Sequence, residues 1–552
     1  MALTDVSEVS KRYETLKSER SSWETLWKDI RDFILPDAGN FIGDNARDGE
    51  KRFGRIIDAE ATHCADIIAA GLLTGVSSPT RPWLRLTTLD AELDESQDVK
   101  EWLAKTEDKM LMYLAKAEVY NPLHQSYLEL PVFGTACTLV RPHPTRIISL
   151  DNLTIGEYYL ADDEFGNIDT LYRQFVMTTK QMVSAFGYYN VSDGVRHEYD
   201  KGLFYQTHDV VHAVEPRFDR DIHKRDNQNM PWRSVYFEAG QESKGKILGE
   251  SGFRSFPALC PRWFVNAHSV YGRGPGAKAL SAAKRLQQHS DRFDLLTDYA
   301  TDPPILYPAA QVGMKKNIRP GGRIPVAGPN DAQTIRSAWE VSTDPSFLQA
   351  QIESDYKQIR RFFHADTFQM ITNTARDDRT AREVVALEQE KIMMLGPVLS
   401  RLHSEMLDPM VANLFEMMVE RDLIDPPPEE LKGKDLNIEY ISILAKQQKA
   451  SASEGVGRFL QSIGAISQLD PSALDKLDVD KAIDHIADYE GVPPDMVVSG
   501  DKVALVRKDR AMKQQQAEML QQEQIQAETL RSLGQATDSR AGQMLMQQQA
   551  MP

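Results

Sequence analysis

The chain has 552 residues, of which 41% are hydrophobic and 26% are charged, and its formal net charge is −17. This length and composition predict a globular protein with roughly three or four folded units. The acidic balance argues against a sequence-independent DNA clamp, whose affinity comes from Lys and Arg that neutralise phosphates. It does not exclude a protein through which DNA passes without binding tightly.

Residues 1–137 are predicted to be mainly helical. Apolar side chains recur there at three- and four-residue steps, and Pro36 ends the first run. The pattern predicts four helices, over residues 6–34, 56–73, 98–117 and 122–130.

The pattern changes in residues 138–270. Short runs of β-branched and aromatic residues alternate there with turn residues, for example at 169–176, 202–214 and 235–239. We therefore expect a β-rich subdomain, with one helix near residues 179–186.

Two amphipathic helices are predicted next, over residues 277–299 and 347–370, and they enclose a segment rich in Pro, Gly, Lys and Arg. In the second helix Ile352 and Ile359 share an apolar face, whereas Asp355 is assigned to the polar side. Periodicity alone favours an ordinary helical hairpin with a solvated face. The same arrangement also suits a pair of struts that carry a small head.

The remainder is predicted to be largely helical. Residues 379–423 form a helical region with kinks at Pro397 and Pro409. A proline-rich linker at 425–430 leads to a small helical unit over 438–501. Beyond it the chain becomes rich in Gln and Met, which predicts a helix or a frayed tail.

The three cysteines, Cys64, Cys137 and Cys260, have no metal or redox spacing, which predicts synthesis in a reducing cytoplasm. The first residues show no secretory signal pattern. The longest apolar stretch, residues 67–76, is too short to span a bilayer. No membrane association is expected.

One segment approaches a nucleotide-binding motif without completing it. Residues 240–247 place Gly245 and Lys246 before Ile247, where a phosphate-binding loop needs a Ser or Thr to bind Mg²⁺ and then a helix. The neighbouring sequences instead predict the two strands of a hairpin. We therefore expect no nucleotide cofactor here.

Other candidate sites have simpler interpretations. His208 and His212 have helical metal-ligand spacing, but on a predicted strand they would lie roughly 13 Å apart, too far for one zinc ion. The glycine-rich segment 272–276 is interpreted as a turn that directs the helix after it. The adjacent Asp377 and Asp378 are interpreted as a solvated loop. No catalytic residue, metal ligand or cofactor is predicted.

Several stretches resemble the podovirus head-to-tail connector, or portal, protein family. They keep the order found in that family and together are specific. They are LLTGVSSPTRPWLRL at 72–86, GTA at 134–136, GEYYLADDEFGNIDT at 156–170, HAVEPR at 212–217, PRW at 261–263 and YGRGP at 271–275.

The resemblance implies the portal fold, an α+β and mainly helical architecture assembled as a ring, and assigns a role to each region. The implied regions are a helical wing (1–137), a β-rich wing subdomain (138–270), a first stem helix (271–302), a clip (303–344), a second stem helix (345–371), a tunnel loop (372–381), a long wing helix (382–428), a helical crown (429–501) and a C-terminal Gln/Met-rich helix or tail (502–552).

The resemblance also implies a function without catalysis. Members of the family form a ring, expected to be dodecameric, at one capsid vertex, through which double-stranded DNA is packaged and ejected. Expected partners are the terminase large subunit, the tail adaptor and tail proteins, and the major capsid and scaffold proteins. The expected location is the virion, after assembly in the host cytoplasm.

Basic and polar residues in the stem, tunnel loop and clip are the candidate site residues. Candidates for lining the DNA channel are Lys284, Arg285, Arg292, Asn373, Arg376 and Arg379. Candidates for docking partners at the clip are Lys315, Lys316, Arg319 and Arg323. Two alternatives stay open: a nucleic-acid-processing packaging enzyme, and a smaller head–tail adaptor. The missing phosphate-binding loop disfavours the first, and the helix–insert–helix layout disfavours the second.

Overall fold

The computed structural model describes residues 6–41, 52–88, 90, 93, 96–224, 226–240, 247–266, 269–308, 317–326, 336–338, 345–372, 395–431, 433–434, 436–440, 462–463, 483 and 500–538. The fold is α+β and mainly helical, as predicted. The chain divides into two compact units. The first comprises residues 1–87, 105–426 and 436–451, and the second comprises 88–104, 427–435 and 452–552.

The N-terminal helices lie close to their predicted positions. They are α1 (Val6–Phe33), α2 (Glu60–Val76), α3 (Gln97–Lys116) and α4 (Tyr120–Phe133). α4 ends at Gly134, whose φ of +90° is the left-handed conformation that glycine adopts without a Cβ clash. A short strand, β1 (Leu84–Thr88), lies between α2 and α3 and was not predicted.

The β-rich subdomain contains two sheets. The smaller has the order β3-β2-β9 and the larger β4-β5-β6-β7-β8, with antiparallel neighbours in both. The strands are β2 (Cys137–His143), β3 (Ile147–Leu153), β4 (Tyr158–Asp162), β5 (Ile168–Thr178), β6 (Thr207–Pro216), β7 (Trp232–Glu238), β8 (Ile247–Phe253) and β9 (Ala258–Leu259).

Helices cover both faces of the five-stranded sheet. On one face Tyr13 and Leu16 of α1 pack against Tyr159, Tyr172 and Phe237 of the strands. On the other face lie α5 (Thr179–Phe186) and α6 (Asp193–Asp200), which pack against the strands through a second apolar cluster. α5 was predicted and α6 was not.

The helix–insert–helix region begins with α7 (Pro275–Thr301). The insert contains β10 (Ile305–Pro308), β11 (Arg323–Val326) and β12 (Arg336–Ser337) in the order β11-β10-β12. Then come α8 (Pro345–Phe363) and α9 (Ala365–Thr372).

The prediction of one continuous second helix was wrong. The helix breaks at His364, where φ is +53°. The break separates Phe363 from Phe368, and both are buried. A Cβ added to Gly71 in α2 would lie 2.2 Å from the Phe368 ring. α9 is therefore directed so that its phenylalanine fills the space that this glycine leaves.

The C-terminal part of the first unit bears on the kink predicted at Pro409 and corrects one further expectation. The helix after residue 395 widens into a π-helical turn at His403–Leu407, directly before α10 (Asp408–Glu420). The irregularity thus precedes Pro409, which cannot donate a backbone hydrogen bond. Residues predicted as the start of a helical crown contain a strand, β13 (Leu436–Tyr440), which pairs with β1.

The second unit contains α11 (Gly500–Asp538), in agreement with the predicted C-terminal helix. Several of its large apolar side chains are exposed, including Leu505 and Met519. A 3₁₀ turn at Glu429–Leu431 belongs to the same unit.

Candidate stem, clip and channel residues

The start of α7 is fixed by a close approach of two backbones. A Cβ at Gly274 would lie 2.2 Å from the Pro131 carbonyl oxygen, and one at Gly276 would lie 2.2 Å from that of Val132. The Gly272 amide donates to Thr135 Oγ1 at 2.8 Å. The glycine-rich segment therefore packs on the end of α4 and sets the direction of α7, which confirms its interpretation as a directing turn.

α7 and α8 are joined by a buried carboxylate. Asp355 of α8 is 1% exposed. It accepts a 2.7 Å hydrogen bond from Arg285 Nε, and its second oxygen lies 2.8 Å from His289 Nδ1. A buried carboxylate needs such partners because desolvation is costly. Asp355 is therefore an internal link between the helices, which corrects its predicted place on a polar face.

The segment before α2 is tied to the same helices. Gln287 of α7 accepts hydrogen bonds from the amides of Ile57 (2.6 Å) and Asp58 (2.9 Å), and its Nε2 donates to the Asp58 carbonyl. On α8, Tyr356 bonds to the Asp58 carboxylate and Arg360 Nε donates to Glu60 at 2.6 Å. These contacts tie the lower half of the helix pair, residues 275–290 and 355–363, to residues 57–60.

The upper half of the pair, residues 291–301 and 345–354, is exposed in the single chain. Leu295 is 48% exposed and Phe347 is 62% exposed. Both are apolar residues on helices whose other ends are well buried. The upper half therefore offers apolar surface that its own chain does not cover.

The insert is a compact sheet tied to the end of α7. β10 pairs in parallel with β11 and antiparallel with β12. The Gly321 amide donates to the Asp302 carbonyl at 2.8 Å, and Tyr299 Oη donates to the Ile318 carbonyl at 2.9 Å. Gly321 has a φ of +68°, which suits the tight turn before β11.

The predicted site residues fall into three groups. Lys284 and Arg285 are engaged within the chain, Lys284 with Asp29 at 2.7 Å and Arg285 with Asp355. Arg292, Arg319 and Arg323 are exposed and form no ion pair among the described residues. The others, Lys315, Lys316, Asn373, Arg376 and Arg379, lie outside the described residues, as do Asp377 and Asp378.

The structure confirms that the sequences on either side of the phosphate-loop-like segment are two strands of a hairpin, and that His208 and His212 lie on a strand. β7 and β8 pair as a hairpin on either side of residues 241–246, which lie outside the described residues. His208 bonds to Glu198, whereas His212 is buried between Ser234 and Arg173. Burial lowers the pKa of His212 well below its usual value.

No group of three or more potential metal-binding side chains comes together in the described part of the chain. In the same residues, every helix is too short or too polar to cross a bilayer.

Sequence reasoning missed the residues that hold the lower half together, Asp355 and Gln287. Both stand at positions that the helical period places on the apolar face, but both are polar, and polar side chains are ordinarily assigned to solvent. Each is one turn from a buried apolar residue, Asp355 from Ile359 and Gln287 from Ala283. That proximity is the only signal in the sequence, and many exposed polar residues share it.

The chain matches the family model of the bacteriophage head to tail connecting proteins over residues 6–497. It belongs to this family of phage structural proteins, which confirms the resemblance.

Its relatives include two proteins that match it over nearly their full lengths. A probable portal protein of Bordetella phage BPP-1 is 43% identical over 531 residues, which cover 96% of this chain and 95% of the relative. The portal protein of Salmonella phage epsilon15 is 35% identical over 540 residues, covering 98% and 97%.

Among solved structures, the neck of an empty gene transfer agent particle matches with 12% identity and a TM-score of 0.34, covering 78% of this chain and 92% of that one.

Proposed function

We propose that the chain is a portal protein, which forms a ring at one vertex of a phage capsid and serves as the conduit for DNA packaging and ejection. The observation that carries the proposal is the full-length similarity to two phage portal proteins. The anchored helix pair with its exposed upper half supports it. A ring of copies would cover Leu295 and Phe347, which the single chain leaves exposed.

The proposed ring has twelve copies and no catalytic role of its own. Its proposed partners are double-stranded DNA in the channel, the terminase large subunit, the tail adaptor and tail proteins, and the major capsid and scaffold proteins. Assembly would take place in the host cytoplasm. The net charge of −17 per copy supports a conduit, because an acidic channel repels phosphates except at local basic positions.

The test is the assembly state of the purified protein. Negative-stain images should show rings with an open centre, and native mass spectrometry should give the mass of twelve copies. Monomers or dimers alone at micromolar concentration would contradict the proposal. A closed ring of another copy number would contradict only the number twelve.

Residues 373–380 are proposed to project into the channel, where Arg376 and Arg379 would contact passing phosphates together with Arg292 of α7. Deleting residues 374–378 should leave rings intact and impair retention of packaged DNA. The DNA length recovered from filled capsids measures this. Full retention by the deletion variant would remove these residues from any channel role.

A further inference from the structure

Two exposed apolar surfaces lie at opposite ends of the five-stranded sheet. One, called here the Phe218 loop, is segment 217–231 between β6 and β7. The other, called the tyrosine face, is segment 179–206 between β5 and β6. Register pairs Thr178 with Thr207 at one end of β6 and Pro216 with Trp232 at the other. The ten residues of β6 separate the surfaces by roughly 30 Å.

The Phe218 loop presents two apolar side chains with almost no cover. Phe218 is 94% exposed and Ile222 is 77% exposed. A third, Phe165, is 80% exposed in the β4–β5 turn at the same end of the sheet. Isolated exposed apolar residues are ordinary, but a group at one end of a sheet is typical of a binding surface.

The Phe218 loop is held in shape by polar contacts at its base. The Arg217 amide donates to the Pro231 carbonyl at 2.7 Å, and Arg217 Nη2 donates to Glu250 on β8 at 2.9 Å. Further along, the Asp221 amide donates to Asn229 Oδ1 at 3.0 Å. A loop fixed in this way loses little conformational entropy on binding, which favours contact through Phe218.

The tyrosine face is also rigid. α5 begins with a capping box of Thr178 and Gln181, and a buried apolar cluster fixes both helices on the sheet. Tyr205 is 83% exposed and Tyr189 is 82% exposed. Tyr188 packs edge to face on Tyr189, with ring centroids 5.5 Å apart. Large rigid aromatic side chains of this kind are enriched at protein interfaces.

We propose that the Phe218 loop of one copy docks on the tyrosine face of the next copy in the ring. In a closed ring every copy meets its two neighbours through two different surfaces, which must be complementary. The two ends of one sheet provide such a pair. The proposal rests on the proposed function, because it places this contact within the ring.

The charge of the two surfaces also favours a second copy of this chain as the binding partner. Segment 217–231 has four basic and three acidic residues, and segment 179–206 has three of each. Both surfaces are therefore close to neutral in a chain of net charge −17. Two copies can therefore meet through these surfaces without strong like-charge repulsion.

Photo-crosslinking of assembled rings tests the contact. A benzoylphenylalanine at position 218 should crosslink to residues 179–206 of another copy, and mass spectrometry of the crosslinked peptides identifies the position. Tyr205→Ser should lower the crosslink yield at least severalfold. Phe264, 60% exposed and outside both surfaces, is the matched control position, and a benzoylphenylalanine there should give no crosslink to residues 179–206.

The possible results distinguish a failure of this proposed contact from a failure of ring formation. Rings whose position-218 crosslinks fall elsewhere, stay within one chain or are absent would overturn the contact and leave the proposed function intact. A crosslink to a capsid protein alone in infected cells would also overturn it. A preparation without rings would contradict both proposals.

Discussion

The two halves of the helix pair differ in what holds them. In the lower half, Leu286 is fully buried and Asp355 links α7 to α8. In the upper half, Leu295 lies on the same helix and is 48% exposed. The lower half is therefore stabilised within one chain, whereas the upper half has apolar surface available for other copies. Substitutions that are equivalent in chemistry should have opposite consequences in the two halves.

The largest expected difference comes from two leucines of α7. Leu286→Ala should lower the free energy of unfolding by about 4 kcal/mol, because it removes a buried side chain and leaves a cavity. Leu295→Ala should change it by less than about 0.5 kcal/mol, yet weaken ring formation. Urea unfolding of dilute protein measures the first quantity, and native mass spectrometry measures the second. Equal destabilisation by the two substitutions would contradict the division into halves.

The next largest effect on stability is expected at Gly274, where the start of α7 contacts the backbone of α4. Gly274→Ala places a Cβ 2.2 Å from a carbonyl oxygen of α4, and a backbone group cannot move aside easily. We expect a loss of about 3 kcal/mol in unfolding free energy. Gly54→Ala is the matched control, since no atom lies within 4 Å of its added Cβ. A Gly274→Ala variant as stable as the control would show that α7 can start in another direction.

Removal of the buried Asp355 carboxylate should have a smaller effect on stability. Asp355→Ala leaves Arg285 and His289 without their shared partner, which should cost about 2 kcal/mol, reduced because Arg285 is 42% exposed and partly screened. Glu353→Ala, two residues away and exposed, serves as the control and should be nearly neutral. Thermal unfolding of the two variants at equal concentration decides between them. Matching midpoints would remove the proposed linking role of Asp355.

Substitutions in the segment proposed as the clip should have the smallest effect on stability. Replacing Lys315, Lys316, Arg319 and Arg323 by Glu should change the free energy of unfolding by less than about 0.5 kcal/mol, because Arg319 and Arg323 are exposed and surface charges contribute little. The rings should form, but a pull-down of the packaging motor or tail adaptor should weaken. Unchanged docking by intact variant rings would contradict the proposed role of the clip.

Periodicity predicted the helices of the pair well but not their interior links. α7 was predicted within two residues at each end, because apolar steps and the prolines at 303 and 304 mark its limits. The break at His364 carries no Gly or Pro, and it depends on how Phe368 packs against Gly71. Asp355 looks solvated from the sequence because its burial depends on Arg285 and His289, which lie on the other helix.

Strands β1 and β13 were missed for a similar reason. They are distant in sequence, and each is only five residues long. Such short segments do not specify a strand until the partner is in place. The exposure of the aromatic residues on the tyrosine face could not be predicted either. Whether such a side chain is buried depends on neighbouring elements that the sequence pattern does not identify.

The attachment of the insert to α7 has a mechanical consequence. Tyr299 and Asp302 tie the sheet of the insert to the last turn of α7, a helix of 27 residues and roughly 40 Å. A continuous α-helix resists compression and bending along its length. If the insert is the clip, we expect a load applied there to pass along α7 to the turn that carries Arg285 and His289, where the buried Asp355 joins α7 to α8.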